Sequence, residues 1–385
     1  MSTTGSTKFK GYNSEEYKII KDVFAGVPMM DLCIANIVEE YIYSTVREYY
    51  PSKDGINNGS LKCEYRTKYG SIKDGEYKEW YRGADNSSED RGKLFVQTHY
   101  IEGKLHGEYK NWIENGQLWV QTAYIEGKLH GEYKNWIEND QLWIQTAYIE
   151  DKLHGEYKDW FENGQIRLQT YYIEGKEHGE YKMWWKNSQM GIQTTYIEGK
   201  EHGEYKEWYE NGKIQIQKTY VEGKEHGEYI EWYESDEPGK DCGNKKIECT
   251  YTLGKLDGVY HHWYPNGNKH IECRYDSGEL DGTYRRWYNT GKDREIKSVE
   301  CIYTLGQQLH GLYQEWHDNG IKSVECFYTL GHLHGLYQTW YPNGTKCVEC
   351  TYRYGKLDGL YQEWSSNGNK KIECTYIVGT LDDLK

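Results

Sequence analysis

Proline and phenylalanine are scarce in this chain, five of each in 385 residues, and methionine is equally rare. So few prolines exclude a proline-rich linker or stalk. So few phenylalanines and methionines argue against a thick conventional core. No stretch approaches the ~18 consecutive apolar residues that a membrane-crossing helix needs. Met1 to Lys18 is polar and lacks the apolar centre of a secretory signal. Ser2 follows Met1, which argues against myristoylation. The expectation is a reducing, cytoplasmic location (host cytoplasm, were the source viral), with chance Asn-X-Ser/Thr matches at Asn58, Asn86 and Asn343. Positive charge is short as well: 47 basic against 61 acidic residues give a net charge of −14. Residues 92–234 carry most of the deficit, 16 basic and 25 acidic, or −9. That balance excludes non-specific binding to nucleic acid and disfavours adsorption to anionic lipid.

What the chain has is tyrosine, tryptophan and glycine: 40, 15 and 42 residues. These recur with a beat. One tryptophan per copy falls at Trp80, Trp112, Trp136, Trp160, Trp184, Trp208, Trp232, Trp263, Trp287, Trp316, Trp340 and Trp364, and eight of the eleven steps are 24 residues. A fixed period of this size marks an array of structural repeats. In the unit after His106, Gly107 to Trp112 reads as a strand and Asn115-Gly116 as a hairpin turn. Leu118 to Ile125 reads as the return strand, and Glu126-Gly127-Lys128 turns the chain back. The fold expected is mainly β: an elongated, solenoid-like single-sheet array of about 12 hairpins of about 24 residues. About 25 strands at ~4.8 Å would run roughly 120 Å. Residues 1–12 read as a tail and 13–60 as a helical head and linker, with an apolar helical face continuing through Tyr49. Repeats fill 61–234 and, in a second dialect, 235–385. The first dialect uses Glu-Gly-Lys-(Leu/Glu)-His-Gly-Glu-Tyr. The second uses Glu-Cys-x-Tyr-Thr-Leu-Gly.

Three columns of the repeat invite a chemical reading. His106, His130, His154, His178, His202, His226, His310 and His334 share one position, which is Asp74, Asp257, Asp281 and Asp358 elsewhere. Copies lie two strands apart, ~9.6 Å, too far to share one ion through metal–nitrogen bonds of ~2 Å. The column therefore reads as backbone-bonding before a glycine. Cys63, Cys249, Cys273, Cys301, Cys326, Cys350 and Cys374 form the second column, replaced by Thr98, Thr122, Thr146, Thr170 and Thr194 in the first block. The same spacing forbids disulfides between neighbours, and Cys347 with Cys350 has no second pair to complete a zinc site. No phosphate-binding glycine loop and no singled-out acid–base couple occurs, so neither catalytic residue, cofactor nor metal is expected. The third column varies: Phe95, Trp119, Trp143 and Arg167, then Gly191 and Gln215. Alternation places it on the face opposite Leu118, Val120, Thr122 and Tyr124. Three aromatics and an arginine make Phe95, Trp119, Trp143 and Arg167 a candidate protein-binding stripe.

The unit resembles the membrane occupation and recognition nexus (MORN) repeat, in its longer variant, over Leu61 to Lys385. Gly103-Lys104-Leu105-His106-Gly107 and Trp208-Tyr209-Glu210-Asn211-Gly212 carry the likeness. The resemblance implies a non-catalytic β-array that binds or scaffolds proteins, and its texture is similar to long arrays of large DNA viruses. Val27-Pro28, Asp31-Leu32, Ile37-Val38 and Tyr41-Ile42 loosely resemble an F-box. That likeness implies a ubiquitin-ligase subunit as a partner of the head. A peripheral membrane organiser is the third expectation.

Overall fold

The computed structural model describes residues 43–51, 58–82, 92–235, 243–290, 295–304 and 308–381. By contact the chain divides into two compact units, Met1–His178 and Gly179–Lys385. Each is an open antiparallel sheet of consecutive hairpins, with no helix among the described residues. The open sheets correct the solenoid-like expectation: strands add side by side and do not coil into turns. The F-box-like motif lies outside the described residues.

In the first unit Tyr43–Pro51 is a strand, where helical spacing suggested a helix running through Tyr49. It pairs antiparallel with Asn58–Lys68, Val46 opposite Tyr65. The segment YSTVREYYP is rich in β-branched and aromatic residues, which suit a pleated, half-buried surface better than a helix. The Ser44 and Thr67 hydroxyls bond at 2.7 Å, and the Tyr50 hydroxyl donates to the Trp80 carbonyl at 3.0 Å. The first array strand is thus paired on both sides.

The two turns of a repeat exchange the roles their sequences suggest. At Asn115-Gly116 only the glycine takes positive φ, +95°. The Gly116 amide donates to the Ile113 carbonyl and the Ile113 amide to the Gln117 carbonyl. The Asn115 side chain accepts from the Gln117 amide at 2.8 Å. This is the three-residue hairpin loop that ends in a left-handed glycine. At Glu126-Gly127 both residues are left-handed, φ +51° and +83°, with Ile125 opposite Lys128. That is the two-residue turn whose twist matches the strands. A non-glycine residue there costs about 1–2 kcal/mol. The second block puts Leu330, Tyr354 and Val378 at this position, with φ of 49°, 48° and 43°. Between this turn and the next long pairing sits a bulge at His130-Gly131, with Gly131 at φ +90° and the His130 amide on the Ala123 carbonyl.

The register fixes two unlike faces. Tyr109 opposes Thr122, Asn111 opposes Val120 and Gly107 opposes Tyr124. On this face Tyr109 and Tyr124 meet edge-on at 5.7 Å. The motif repeats from Tyr133–Tyr148 in the first unit to Tyr260–Tyr275 and Tyr361–Tyr376 in the second. Edge-on rings are worth about 0.5–1.5 kcal/mol beyond their buried area, which lets a thin sheet hold together. Burial pushes the Tyr260 hydroxyl up to about 12. The threonine column beneath is 2–3% exposed. The hydroxyls of Thr98, Thr122, Thr146, Thr170 and Thr194 have no hydrogen-bond partner. In the second block the buried Cys249, Cys273, Cys301, Cys326 and Cys350 fill the same slot as free thiols. The other face carries Glu108, Lys110 and the tryptophans. Lys110 pairs with Glu108 at 2.7 Å, and in the second unit Lys297 Nζ lies 5.6 Å from the Trp316 ring.

Two outcomes follow for stability. Thr146→Val removes an unpartnered hydroxyl at nearly constant shape and should leave stability unchanged or raise it by about 1 kcal/mol; urea denaturation is the check. Leu330→Asn should raise the melting temperature, because asparagine tolerates the left-handed conformation that leucine adopts under strain. Ala at the same position, as strained as leucine, should give no gain.

Candidate functional site

Every hairpin carries a bulge at the asparagine-turn end. Asn111 opposes Val120 but Trp112 opposes Leu118, so Trp119 is the extra residue. An extra residue breaks simple alternation. It turns the Trp119 column onto the tyrosine face, which corrects the opposite-face assignment made from parity. Arg167 shows this directly. Its Nε and Nη2 donate to Asp159 at 2.9 and 2.6 Å, and the Tyr157 hydroxyl donates to the same carboxylate at 3.2 Å. Asp159 is 1% exposed. A bidentate, charge-assisted pair of this kind is a strong, geometrically specific contact.

The four stripe residues therefore differ in what they can offer a partner. Phe95 packs on Tyr81, ring centroids 4.9 Å apart. Arg167 is committed to Asp159. Trp119 is 49% exposed, and Trp143 is partly exposed. Asn111 donates to the Phe95 carbonyl at 3.1 Å and Asn135 to the Trp119 carbonyl at 3.0 Å. Those bonds tie each of these two repeats to the one before it and fix the backbone at Phe95 and Trp119.

Sequence reasoning missed that the column has a partner column. In several repeats the positions equivalent to Asn111 and Trp119 are matched in chemistry, as Asp159 and Arg167 are. In the second unit Lys246 pairs with Glu231 at 2.7 Å and His270 with His262 at 2.7 Å. Arg286 donates to Ser298 at 3.1 Å and Lys371 to Glu363 at 3.3 Å. Where Met183 and Trp185 fill the space, the position is Gly191, and a Cβ there would lie 2.8 Å from the Met183 methyl. Tabulating the two positions side by side would have exposed the pairing.

At the histidine position His226 Nδ1 accepts the Leu253 amide at 3.5 Å, and Asp358, in the aspartate form of the position, accepts the Val378 amide at 3.2 Å. His334 instead lies against the Tyr354 ring, and its buried Nδ1 has no hydrogen-bond partner. The buried cysteines of the second block are held in the thiol form: burial pushes Cys273 up to about 11 and Cys249 to about 12. Thiols in that state are poor nucleophiles. Two lysines stand among tyrosine rings. Lys73 Nζ is 4.2–5.1 Å from the rings of Tyr65, Tyr77 and Tyr100, and Lys218 pairs with Glu225 at 3.0 Å between Tyr205 and Tyr220. Among the described residues no group of three or more His, Cys, Asp or Glu is placed to hold a metal. No helix among them is long and apolar enough to cross a membrane. In the second unit a shallow cleft of about 330 Å³ opens beside Leu312, Phe327, His334 and Leu336.

An open sheet of hairpins repeating one 24-residue motif, with an exposed aromatic column, defines a repeat-based binding or scaffold class of protein. The family comparison agrees. Six segments match the MORN repeat variant: 105–126, 153–174, 201–222, 309–329, 333–354 and 357–377. These six matches support a MORN-repeat protein. No curated protein matches the chain. Among solved structures, one described as "Crystal Structure of TcdB2-TccC3-Cdc42" aligns at 11% identity over 89% of this chain and 19% of that one, TM-score 0.16. A second, "Crystal Structure of TcdB2-TccC3", aligns at 9% identity over 86% and 24%, TM-score 0.11. The chain thus spans about a fifth to a quarter of those chains.

Arg167→Ala leaves Asp159 buried with a single tyrosine donor. It should cost about 1.5–3 kcal/mol, the range for a hydrogen bond to a charged group. The double variant Asp159→Asn with Arg167→Gln should recover part of that loss, and a double-mutant cycle by urea denaturation measures the coupling.

Proposed function

We propose that the protein is a non-enzymatic scaffold that binds a protein partner on the tyrosine face of its first unit, with Trp119 and Trp143 as anchors. The observation that carries this reading is the exposure of Trp119, 49%, in a column where Phe95 and Arg167 are instead engaged by Tyr81 and Asp159 of their own repeats. Buried tryptophan anchors contribute disproportionately to interfaces. Here the backbone beneath Trp119 is fixed by Asn135, so its engagement costs little local ordering. Phe95 and Arg167 flank the pair and hold the rim in place through Tyr81 and Asp159. The absence of an activated nucleophile among the buried cysteines favours recognition over chemistry.

The test uses the full chain and its Trp119→Ala/Trp143→Ala variant as baits. A protein retained by the wild type should be purified and its affinity measured for both. The double variant should bind at least about 30-fold more weakly, two anchors at about 1 kcal/mol or more each. Its melting temperature should stay within a few degrees of wild type. Equal affinities would remove these residues from the interface. A collapsed fold would make the column structural.

A further inference from the structure

We propose that His262 and His270, in the second unit, chelate one divalent transition-metal ion of the Ni2+ or Cu2+ class. The two residues face each other across one hairpin, on the outgoing strand Gly258–Trp263 and the return strand Lys269–Asp276. They occupy the matched pair of positions beside the bulge, where register shifts between His262 and Trp263. Their Nδ1 atoms lie 2.7 Å apart. The repeated histidine column cannot bring two rings this close, since its members sit on different repeats. These two sit in the same repeat.

The geometry selects the ion. Metal–nitrogen bonds of ~2.0–2.1 Å held at a right angle set two nitrogens about 2.9 Å apart, whereas a tetrahedral angle sets them about 3.3 Å apart. The observed separation lies nearer the first. Right-angled ligands belong to tetragonal or octahedral ions, and Cu2+ and Ni2+ also stand high in intrinsic affinity for imidazole. Packing supports one of the rings: Tyr264 lies on His270 with centroids 4.3 Å apart, tilted 34°, and both rings turn out of their mutual hydrogen bond to receive the ion. The Tyr264 hydroxyl is anchored on the Trp287 carbonyl at 3.0 Å. Neighbouring cations are engaged elsewhere, Lys246 with Glu231 at 2.7 Å and Arg286 with Ser298 at 3.1 Å. Binding needs no net proton release. In the neutral pair one ring donates from Nδ1 and the other accepts there; the donor moves its proton to Nε2, and both Nδ1 lone pairs turn to the ion. Water completes the coordination sphere.

The experiment is Ni2+ and Cu2+ titration of the full chain, with His262→Ala, His270→Ala and, as a control from the repeated histidine column, His310→Ala in parallel. At equal free metal the wild type should hold one ion per chain more than either histidine variant, or bind that ion roughly 10–100-fold more tightly. His310→Ala should match wild type. Unchanged stoichiometry and affinity in both histidine variants overturns the proposal. Because a variant could misfold, the wild type is also probed alone. Electron paramagnetic resonance of the first Cu2+ bound should show two imidazole nitrogens, and histidine-labelled NMR should show Ni2+ broadening His262 and His270 first. Broadening that begins at other histidines overturns the assignment.

Discussion

The repeat pitch of two strands, ~9.6 Å, governs this protein. A sheet one layer thick has no second layer to bury its faces, so each side chain must find its contacts in its own hairpin or one strand away. Side chains short of that reach lose their partners, and the buried threonine hydroxyls stay unpaired. Side chains with reach close the gaps. Tyrosine rings meet edge-on within a hairpin, and tyrosine hydroxyls cross to the next repeat, as Tyr209 does to the Trp232 carbonyl at 2.8 Å. Asparagine amides do the same from the turns, Asn319 to the Pro342 carbonyl at 2.7 Å. The abundance of tyrosine and the shortage of aliphatic bulk are thus one fact seen twice.

The same constraint explains the two dialects. In the first block the tryptophan face is a lattice of Glu108, Lys110 and Gln121, with Gln121 donating to Glu108 at 2.9 Å. In the second block a lysine reaches both the glutamate three residues on and the next tryptophan: Lys269 pairs with Glu272 at 3.1 Å and lies 5.5 Å from the Trp287 ring. Burial works against the charged form of Glu272, but hydrogen bonds from Lys269 and Arg285 outweigh it and hold the carboxyl below its usual range. A carboxylate held low contributes stability above its unfolded value and loses it as pH falls through the folded one. This strip of the second unit therefore weakens in acid. Exchange of Glu108 for Leu312, Leu336 and Leu360 leaves those leucines 43–50% exposed.

Much of this was legible in the residues. Period, strand limits and turn positions followed from tryptophan spacing and from glycine, because backbone conformation is a local demand. The spacing argument that ruled out shared metals and disulfides along a column rested on pitch alone. What parity could not deliver was the face of the Trp119 column. A one-residue bulge reverses orientation and leaves no mark in hydropathy. The segment from Tyr43 failed differently: helical spacing of a few apolar residues lost to β-branched content once a neighbouring strand was available to pair.

Once the bulge is placed, the variable positions acquire a logic that neither conservation nor composition would supply. The scaffold positions repeat because the pitch demands the same filling in every hairpin. The matched pair beside the bulge is free to change, provided both members change together: Asp with Arg, Glu with Lys, His with His, Met with Gly. A pair that satisfies itself adds little affinity for anything outside, since its polar groups would have to be unpaired on binding. A function carried by this face must therefore reside where matching is incomplete or where the matched atoms are themselves ligands. Trp119, with its indole half exposed, is the first case, and two imidazoles facing across one hairpin are the second.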